Sequence, residues 1–570
     1  MRMARFARLC MNRMSDLTRG LEVSLGPDTG DLKLRVGLHS GPVTAGVLQG
    51  EKSRFQLFGD TMNTTSRMMS TGKRNHIQCS VATADLLMYA GKEKWLQVRS
   101  ERITAKGKGE IQTYWILPRT GGEGSDSDRE EDDGRRASIN LEAQLVIDIT
   151  SHMSKKQRLI DWHVELFSRL LKQIAARRLE MNQLSKGHKK SGSVHFRPKG
   201  GSTAVDEVTE IISLPKVDTV ALSKAKPIDP NKVELPVHVM NQLKDYITTI
   251  ASMYNDNPFH NFEHATHVTM STNKLLKRVV ATPVTPSDSD EATETAEYTH
   301  GITSNPLTQF ALIFCALIHD VDHRGVSNFQ LINEKAPIAQ LYNHRSVAEQ
   351  NSVDISWDLL MDPSYVDLRK AIYADEAEMQ HFRQLVVNIV LATDIFDRNM
   401  KEIREKRWGR AFQYENEEPE NIPTINKPER PTAWPLSKLE GVHLKATIVM
   451  EHMIQSSDVS HTMQHWEIYL QWNERLFQEM TRAYEQGRAP KEPASCWYEG
   501  EIIFFDKYII PLAKKLAECR VFGAHSDEYL TYAVQNRTLW ASKGDQIVAR
   551  FVKNYQEGKL GAPRKRRNSS

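Results

Sequence analysis

Apolar residues recur along this chain with two different periods, and the change of period divides it. Over residues 34–41 (Leu-Arg-Val-Gly-Leu-His-Ser-Gly) apolar and polar positions alternate as in a half-buried strand, Gly41-Pro42 supplies a turn, and 43–48 forms a second short apolar segment. A helix bearing Asn63 and Arg67 and a strand at 112–117 complete a mixed region over residues 1–118. From 141 to about 184 the period is helical instead, with Leu159, Trp162, Leu166, Leu170 and Ile174 along one face. That pattern predicts an amphipathic helix serving as a connector or dimer contact. Beyond residue 205 the chain is helix-rich, with almost no alternation. Two apolar helical segments there end abruptly on polar side chains, 310–318 on His319-Asp320 and the 453–457 segment on Asp458.

Composition marks the joints. Residues 119–138 contain no large apolar side chain and cannot contribute a core, which predicts a disordered acidic linker. A Gly/Ser/Lys/Pro stretch at 187–203 is a second flexible joint, and 282–306 and 415–435 are expected as surface loops between helices. The expected organisation is therefore a mixed region 1–118, a linker 119–140, a helical connector and joint 141–204, a helical domain 205–555 and a basic tail 556–570. A chain of 570 residues is too long for one core. Its net charge of +3 gives no reason to expect nucleic acid as a partner. Five scattered cysteines, an odd number without C-x-x-C spacing, argue against a disulfide framework and for a reducing compartment. No apolar run approaches the roughly 20 residues that span a bilayer. The reading is a soluble cytoplasmic protein, or a membrane-attached one if the chain is a piece of a longer receptor.

The chemistry is concentrated where the apolar runs stop. His319-Asp320 is followed at helical spacing by His323 and preceded by His260-Asn261-Phe262-Glu263-His264, whose two histidines, four residues apart, are expected to stack on one helix face. Imidazole and carboxylate donors suit a divalent cation. Left unpaired at the end of a buried helix they would be costly, so metal binding explains their burial. Asp458 is the candidate for the remaining donor.

Four motifs, His-Asn-x-x-His-Ala at 260–265, His-Asp-Val-Asp-His-x-Gly-Val-Ser-Asn at 319–328, Leu-Ala-Thr-Asp at 391–394 and the Asp458 segment, stand in the order that resembles the class I 3′,5′-cyclic-nucleotide phosphodiesterases, of the HD type. The likeness extends through Glu349, Gln471-Trp472 and Phe505-Asp506. It implies an all-α catalytic domain that hydrolyses a cyclic nucleotide to the 5′-monophosphate. His264, His319, Asp320 and Asp458 would be metal ligands for two divalent ions, zinc at the first position and magnesium or manganese at the second, with Asp320 shared. A hydroxide between the ions would attack, His260 would protonate the departing O3′, and His323, Glu349 and Thr393 would orient bound water. Asn328 and Asp394 read equally well as helix-end caps.

The same likeness puts Phe504 and Leu476 at an apolar clamp around the purine and Glu501 where a glutamine usually fixes the base. A carboxylate only accepts hydrogen bonds. Guanine offers it two donors, whereas adenine offers an acceptor, so cGMP is expected to be favoured over cAMP. Ser-His-Thr at 460–462 and Gln455 also depart from the usual pattern.

Residues 1–118 resemble the carboxy-terminal part of a class III adenylyl or guanylyl cyclase domain, a truncated α+β fragment. In that resemblance Asn63 and Arg67 would stabilise the transition state and Lys106 would bind the triphosphate. The two metal-binding aspartates of that family have no counterpart: Asp16, Asp28 and Asp31 lie in helix-end or loop contexts, so cyclase activity is not expected. The alternative reading is a fragment of a bifunctional guanylyl cyclase-phosphodiesterase whose cyclase half is only a pairing module, with a homodimer formed through the cyclase-like and connector regions. Arg-Arg-x-Ser at 135–138 and 566–569 resembles the preference of cyclic-nucleotide-dependent kinases, making such a kinase a candidate partner.

Overall fold

In a computed structural model the described residues are 1–25, 32–48, 54–105, 109–117, 154–184, 203–215, 227–280, 300–413, 438–519, 521–522 and 527–561. Lys106, the 119–140 linker, most of the 187–203 joint and both Arg-Arg-x-Ser serines lie outside them. The chain forms two compact units, Met1–Arg158 and Leu159–Ser570.

The first unit is built on helix α1 (Arg2–Leu25), strands β1 (Arg35–Leu38), β2 (Thr44–Leu48) and β3 (Arg54–Phe58), helix α2 (Asp60–Ser70), strand β4 (His76–Ser80), helix α3 (Val81–Tyr89), and strands β5 (Leu96–Val98), β6 (Ile103–Ala105), β7 (Gly109–Ile111) and β8 (Thr113–Ile116). A four-stranded sheet runs β1-β4-β8-β5, with β1 parallel to β4 and β8 antiparallel to both its neighbours. Ala4, Ala7 and Met11, at helical spacing on α1, bury against Ile77, Cys79 and Ile116 of the sheet. Gly37 is required by close approach: a Cβ there would lie 2.3 Å from the Met69 backbone nitrogen of α2. Asp16, expected at a helix end or in a loop, sits inside α1 instead.

The second unit is helical. Its elements are α4 (Lys155–Leu184), α5 (Val237–Met253), α6 (Phe262–Val280), α7 (Pro306–Ile318), α8 (Asn328–Asn333), α9 (Pro337–Leu341), α10 (Val347–Met361), α11 (Val366–Ile372), α12 (Glu376–Leu391), α13 (Arg398–Trp408), α14 (Lys438–Asp458), α15 (Trp466–Glu485), α16 (Trp497–Phe504), a wider π-helical turn (Phe505–Ile509), α17 (Ile510–Glu518) and α18 (Glu528–Gly561). The stripe Leu159, Trp162, Leu166, Leu170 and Ile174 of α4 is buried in this unit's own core. At the centre is α7, apolar on every side and buried without a break from Phe310 to Ile318, as an all-round hydrophobic helix must be. Asn305 starts it by accepting the Leu307 N–H (2.8 Å), with Pro306 at the first helical position. Helices α6, α12 and α14 pack around α7. Among the described residues no helix is long and apolar enough to cross a membrane, and all five cysteines are free.

Candidate metal and catalytic site

Three helix ends meet at one place. Asn261 caps α6 by accepting the His264 N–H (3.0 Å) and anchors itself on the Asn257 and Pro258 carbonyls, which puts His264 in the first helical turn, fully buried. His260 therefore precedes the helix, and the two histidines do not stack along one helix face as the spacing suggested. α7 ends at Ile318, so His319 and Asp320 follow directly from its buried carboxy-terminal end. The last residue of α14 is Asp458.

His264 Nε2 lies 3.0 Å from Asp458 Oδ1 and 3.7 Å from Asp320 Oδ2, and His319 Nε2 lies 3.4 Å and 3.2 Å from the same two oxygens. The four donor atoms all fall within 4.8 Å of one another. A chemical argument shows that they suit a cation. His319 Nδ1–H donates to the Ala316 carbonyl (3.0 Å), so in the neutral ring Nε2 is a bare lone pair facing two carboxylates. Lone pairs and negative oxygens repel unless a proton or a metal ion lies between them, and a hydrogen bond on the far nitrogen is how metal-binding histidines are oriented. Spacings of 3.0–3.7 Å are close to the roughly 3.4 Å expected between ligands about 2.1 Å from a shared centre. Burial would raise the pKa of Asp320, but His319, His260 and His323 hold it well below the usual carboxylate range.

His323 is not on the helix that precedes it. Asp322 takes a left-handed backbone conformation (φ 60°), the chain turns, and the His323 ring comes to rest 3.9 Å from that of His260, centroid to centroid. Asn257 ties the two by donating to the carbonyls of His260 (3.0 Å) and His323 (2.7 Å). Burial, aided by His260, pushes the His323 ring down to about 4, and its Nδ1 accepts the Gly325 N–H (3.2 Å).

Beside them stands Glu479, which the sequence reading passed over. Its carboxylate pairs with His260 Nδ1 and accepts the N–H groups of Phe259 (2.9 Å) and His260 (3.0 Å). Burial disfavours a charged His260, yet Glu479, with Asp320 and Asp458 behind it, outweighs burial and pushes the ring up to about 9. Glu479 itself falls to about 2, burial being overcome by His260 and His323. The result is an imidazolium whose Nδ1–H is committed and whose other N–H can be given away. A signal for Glu479 existed in the sequence: it follows Trp472 and Leu476 of α15 at helical spacing, a carboxylate on an otherwise apolar face.

The other predicted residues are arranged around this centre. Asn328 Nδ2 donates to Glu349 (2.8 Å) and reaches Asp394 (3.4 Å), while its Oδ1 accepts the Ala348 N–H (2.9 Å), so it both caps α10 and joins two acids. Burial, then Asp394, lifts Glu349 to about 8. Thr393 Oγ1 donates to the Val390 carbonyl (2.8 Å). Gln455 donates to the Ala392 carbonyl (2.8 Å), and His461 is buried with its ring against Phe259.

Glu501 is buried and accepts the Tyr469 hydroxyl at 2.7 Å. Burial lifts it to about 7 against the hydrogen bonds it receives from Tyr469 and Asn473. Phe504 and Leu476 are both half-buried, and Phe504 stacks on Tyr508. In the first unit α2 carries Asn63, exposed, and Arg67, half-buried.

Comparison with known proteins follows the same division. The 3′,5′-cyclic nucleotide phosphodiesterase family matches residues 259–521, and the adenylate and guanylate cyclase catalytic domain matches residues 4–118. A probable 3′,5′-cyclic-AMP phosphodiesterase from Caenorhabditis elegans is 28% identical over 44% of this chain and 31% of its own length. A cGMP-specific 3′,5′-cGMP phosphodiesterase from Dictyostelium discoideum is 22% identical over 53% of the chain and 56% of its own. Guanylate cyclase 32E from Drosophila melanogaster is 44% identical over 16% of the chain and 8% of its own. The matched regions thus span well under two thirds of each of these relatives. The chain is thus similar to the 3′,5′-cyclic nucleotide phosphodiesterase family over residues 259–521, and ahead of that, over residues 4–118, to the adenylate and guanylate cyclase catalytic domain family.

Proposed function

We propose that this chain hydrolyses the 3′ ester of 3′,5′-cyclic nucleotides, with cGMP favoured over cAMP, in a catalytic region spanning 205–555. The observation that carries the reading is the meeting of four cation-suited donors with a proton-bearing His260-Glu479 pair at one place. Divalent ions, zinc with magnesium or manganese, would be held by His264, His319, Asp320 and Asp458 and would supply charge neutralisation at the phosphate and a water of lowered pKa. The protein's own part is positional. His260 gives its proton to the departing O3′, and Glu479 fixes the ring and keeps it charged until then. Asn328 keeps Glu349 and Asp394 together beside the 391–394 turn, where Thr393 also lies. Glu501 accepts the two donors of a guanine edge, with Phe504 and Leu476 as apolar walls.

For the amino-terminal unit we propose a pairing role, by self-association or with another cyclase half. Among the described residues, both groupings of His, Cys, Asp or Glu able to hold a metal ion lie in the second unit, and cyclisation of a triphosphate relies on such a metal pair. Assaying the purified chain separately with cGMP and cAMP, with and without chelator, tests the reading. Turnover that survives chelation, or none with either nucleotide, overturns it.

A further inference from the structure

A cavity of about 210 Å³ opens between α13, the last third of α14 and the turn leading into α17. Four basic side chains line it, Lys401, Arg404, Lys507 and Lys515, against one acid, Glu405. None of the four is among the proposed metal donors. Lys515 has Glu405 and Glu518 as neighbours, Lys507 has Asp506 and Arg404 has Glu451, but of these acids only Glu405 lines the cavity, so its lining keeps an excess of positive charge. Arg404 is locked in place by donating to the carbonyls of Ala392 (2.7 Å) and Asp394 (3.0 Å).

Two buried groups add direction to this charge. Tyr508 lines the cavity, and its buried hydroxyl has no hydrogen-bond partner, an arrangement that is costly unless something fills it. His452, also lining it and 5% exposed, commits Nδ1–H to the Ile448 carbonyl (2.8 Å), leaving Nε2 an acceptor. Burial first, and then the positive field of Lys515, Arg404 and Arg407, holds that ring neutral, down to about 3. A hydrogenphosphate ion satisfies the whole set: its oxygens take the cations and the tyrosine hydroxyl, and its own O–H can donate to His452.

We propose that this cavity, whose lining includes none of the metal donors, is a binding site for a small phosphoanion, inorganic phosphate or the phosphate of a monoester. Its volume is below the roughly 300–1,000 Å³ of pockets that take drug-sized ligands, which limits the occupant to one phosphoryl group with a small appendage. Because Arg404 and Gln455 both hold the Ala392 carbonyl, the site adjoins the turn that carries Thr393 and Asp394.

Equilibrium dialysis of the full, metal-loaded chain against radiolabelled inorganic phosphate tests this. Phosphate can also bind at the metal site, so four proteins are compared: wild type, Asp458→Ala, Tyr508→Phe, and the exposed pair Lys401→Glu with Lys507→Glu. The expected result is a bound phosphate that persists in Asp458→Ala and is weakened at least tenfold in the lysine pair, with Tyr508→Phe weakened several-fold. Binding unchanged in the lysine pair, or abolished in an Asp458→Ala protein that still melts cooperatively, overturns the proposal. Displacement of the label from Asp458→Ala by a 5′-nucleotide identifies a monoester as the occupant, and failure to displace it identifies inorganic phosphate.

Discussion

Glu479 holds His260 at two points, through the ring nitrogen Nδ1 and through the backbone N–H, so the charge and the orientation of that histidine have one source. Replacing Glu479 with Gln keeps the shape and removes the charge. The group that matters is active when protonated, and its pKa is raised to about 9. Activity should therefore hold through neutrality and be lost as pH rises through about 9. In Glu479→Gln the alkaline limb of the kcat profile should move toward the ordinary histidine value near 6.5, and kcat at neutral pH should fall about 10–100-fold. An unmoved limb separates His260 from the proton transfer.

Removing one donor from the cluster leaves the rest facing one another across an incomplete shell. His319→Ala, Asp320→Ala and Asp458→Ala should each lose bound divalent metal by elemental analysis and lose hydrolysis with it. His260→Ala should keep its metal and lose about 10²–10⁴-fold in rate. Metal loss in that last variant would make His260 a ligand.

Base selectivity should depend on pH in the wild type. Glu501 titrates near 7, accepting only when ionised and able to donate when protonated. The ratio of kcat/KM for cGMP over cAMP should rise between pH 6 and pH 8. In Glu501→Gln the ratio should be smaller and flat across that range. A wild type that prefers cAMP at pH 8 refutes the assignment.

Arg407 and Glu451 form an ion pair in which each side chain is about 1% exposed. Burial alone would drive the acid to protonate, and Arg407 opposes that. Truncating Arg407 to Ala strands a buried carboxyl, and thermal unfolding should show a loss of about 3–5 kcal/mol. Arg407→Ala combined with Glu451→Met should recover much of it. Equal stability of the single and double variants would contradict the argument.

Three donors of the metal cluster, His319, Asp320 and Asp458, were legible in the sequence because they sit where an apolar helical run stops, and burial of a lone polar group there needs a chemical reason; His264 was legible from its spacing to His260. The local geometry was less legible. His319 and His323 have helical spacing, but the helix ends at Ile318 and Asp322 reverses the chain, which no periodicity encodes. His260 and His264 likewise fall on either side of the Asn261 cap. Glu479 was missed because its partner lies far away along the chain, and single-chain spacing carries no information about such a contact. The α4 stripe was visible as a helix, but sequence alone did not say that the face is covered by this unit's own core rather than by a partner.

Asp458 and His264 are separated by 194 positions yet touch. The cation-binding cluster is thus closed by large chain loops, in which insertion is inexpensive: doubling such a loop costs only about 0.6 kcal/mol of closure entropy. What cannot vary is the set of short capping contacts at the three helix ends. Divergence of the intervening stretches should therefore go together with constancy of the Asn261 side chain and of the backbone path at the ends of α7 and α14, making the spacing between motifs a poor guide to whether a distant chain retains this chemistry.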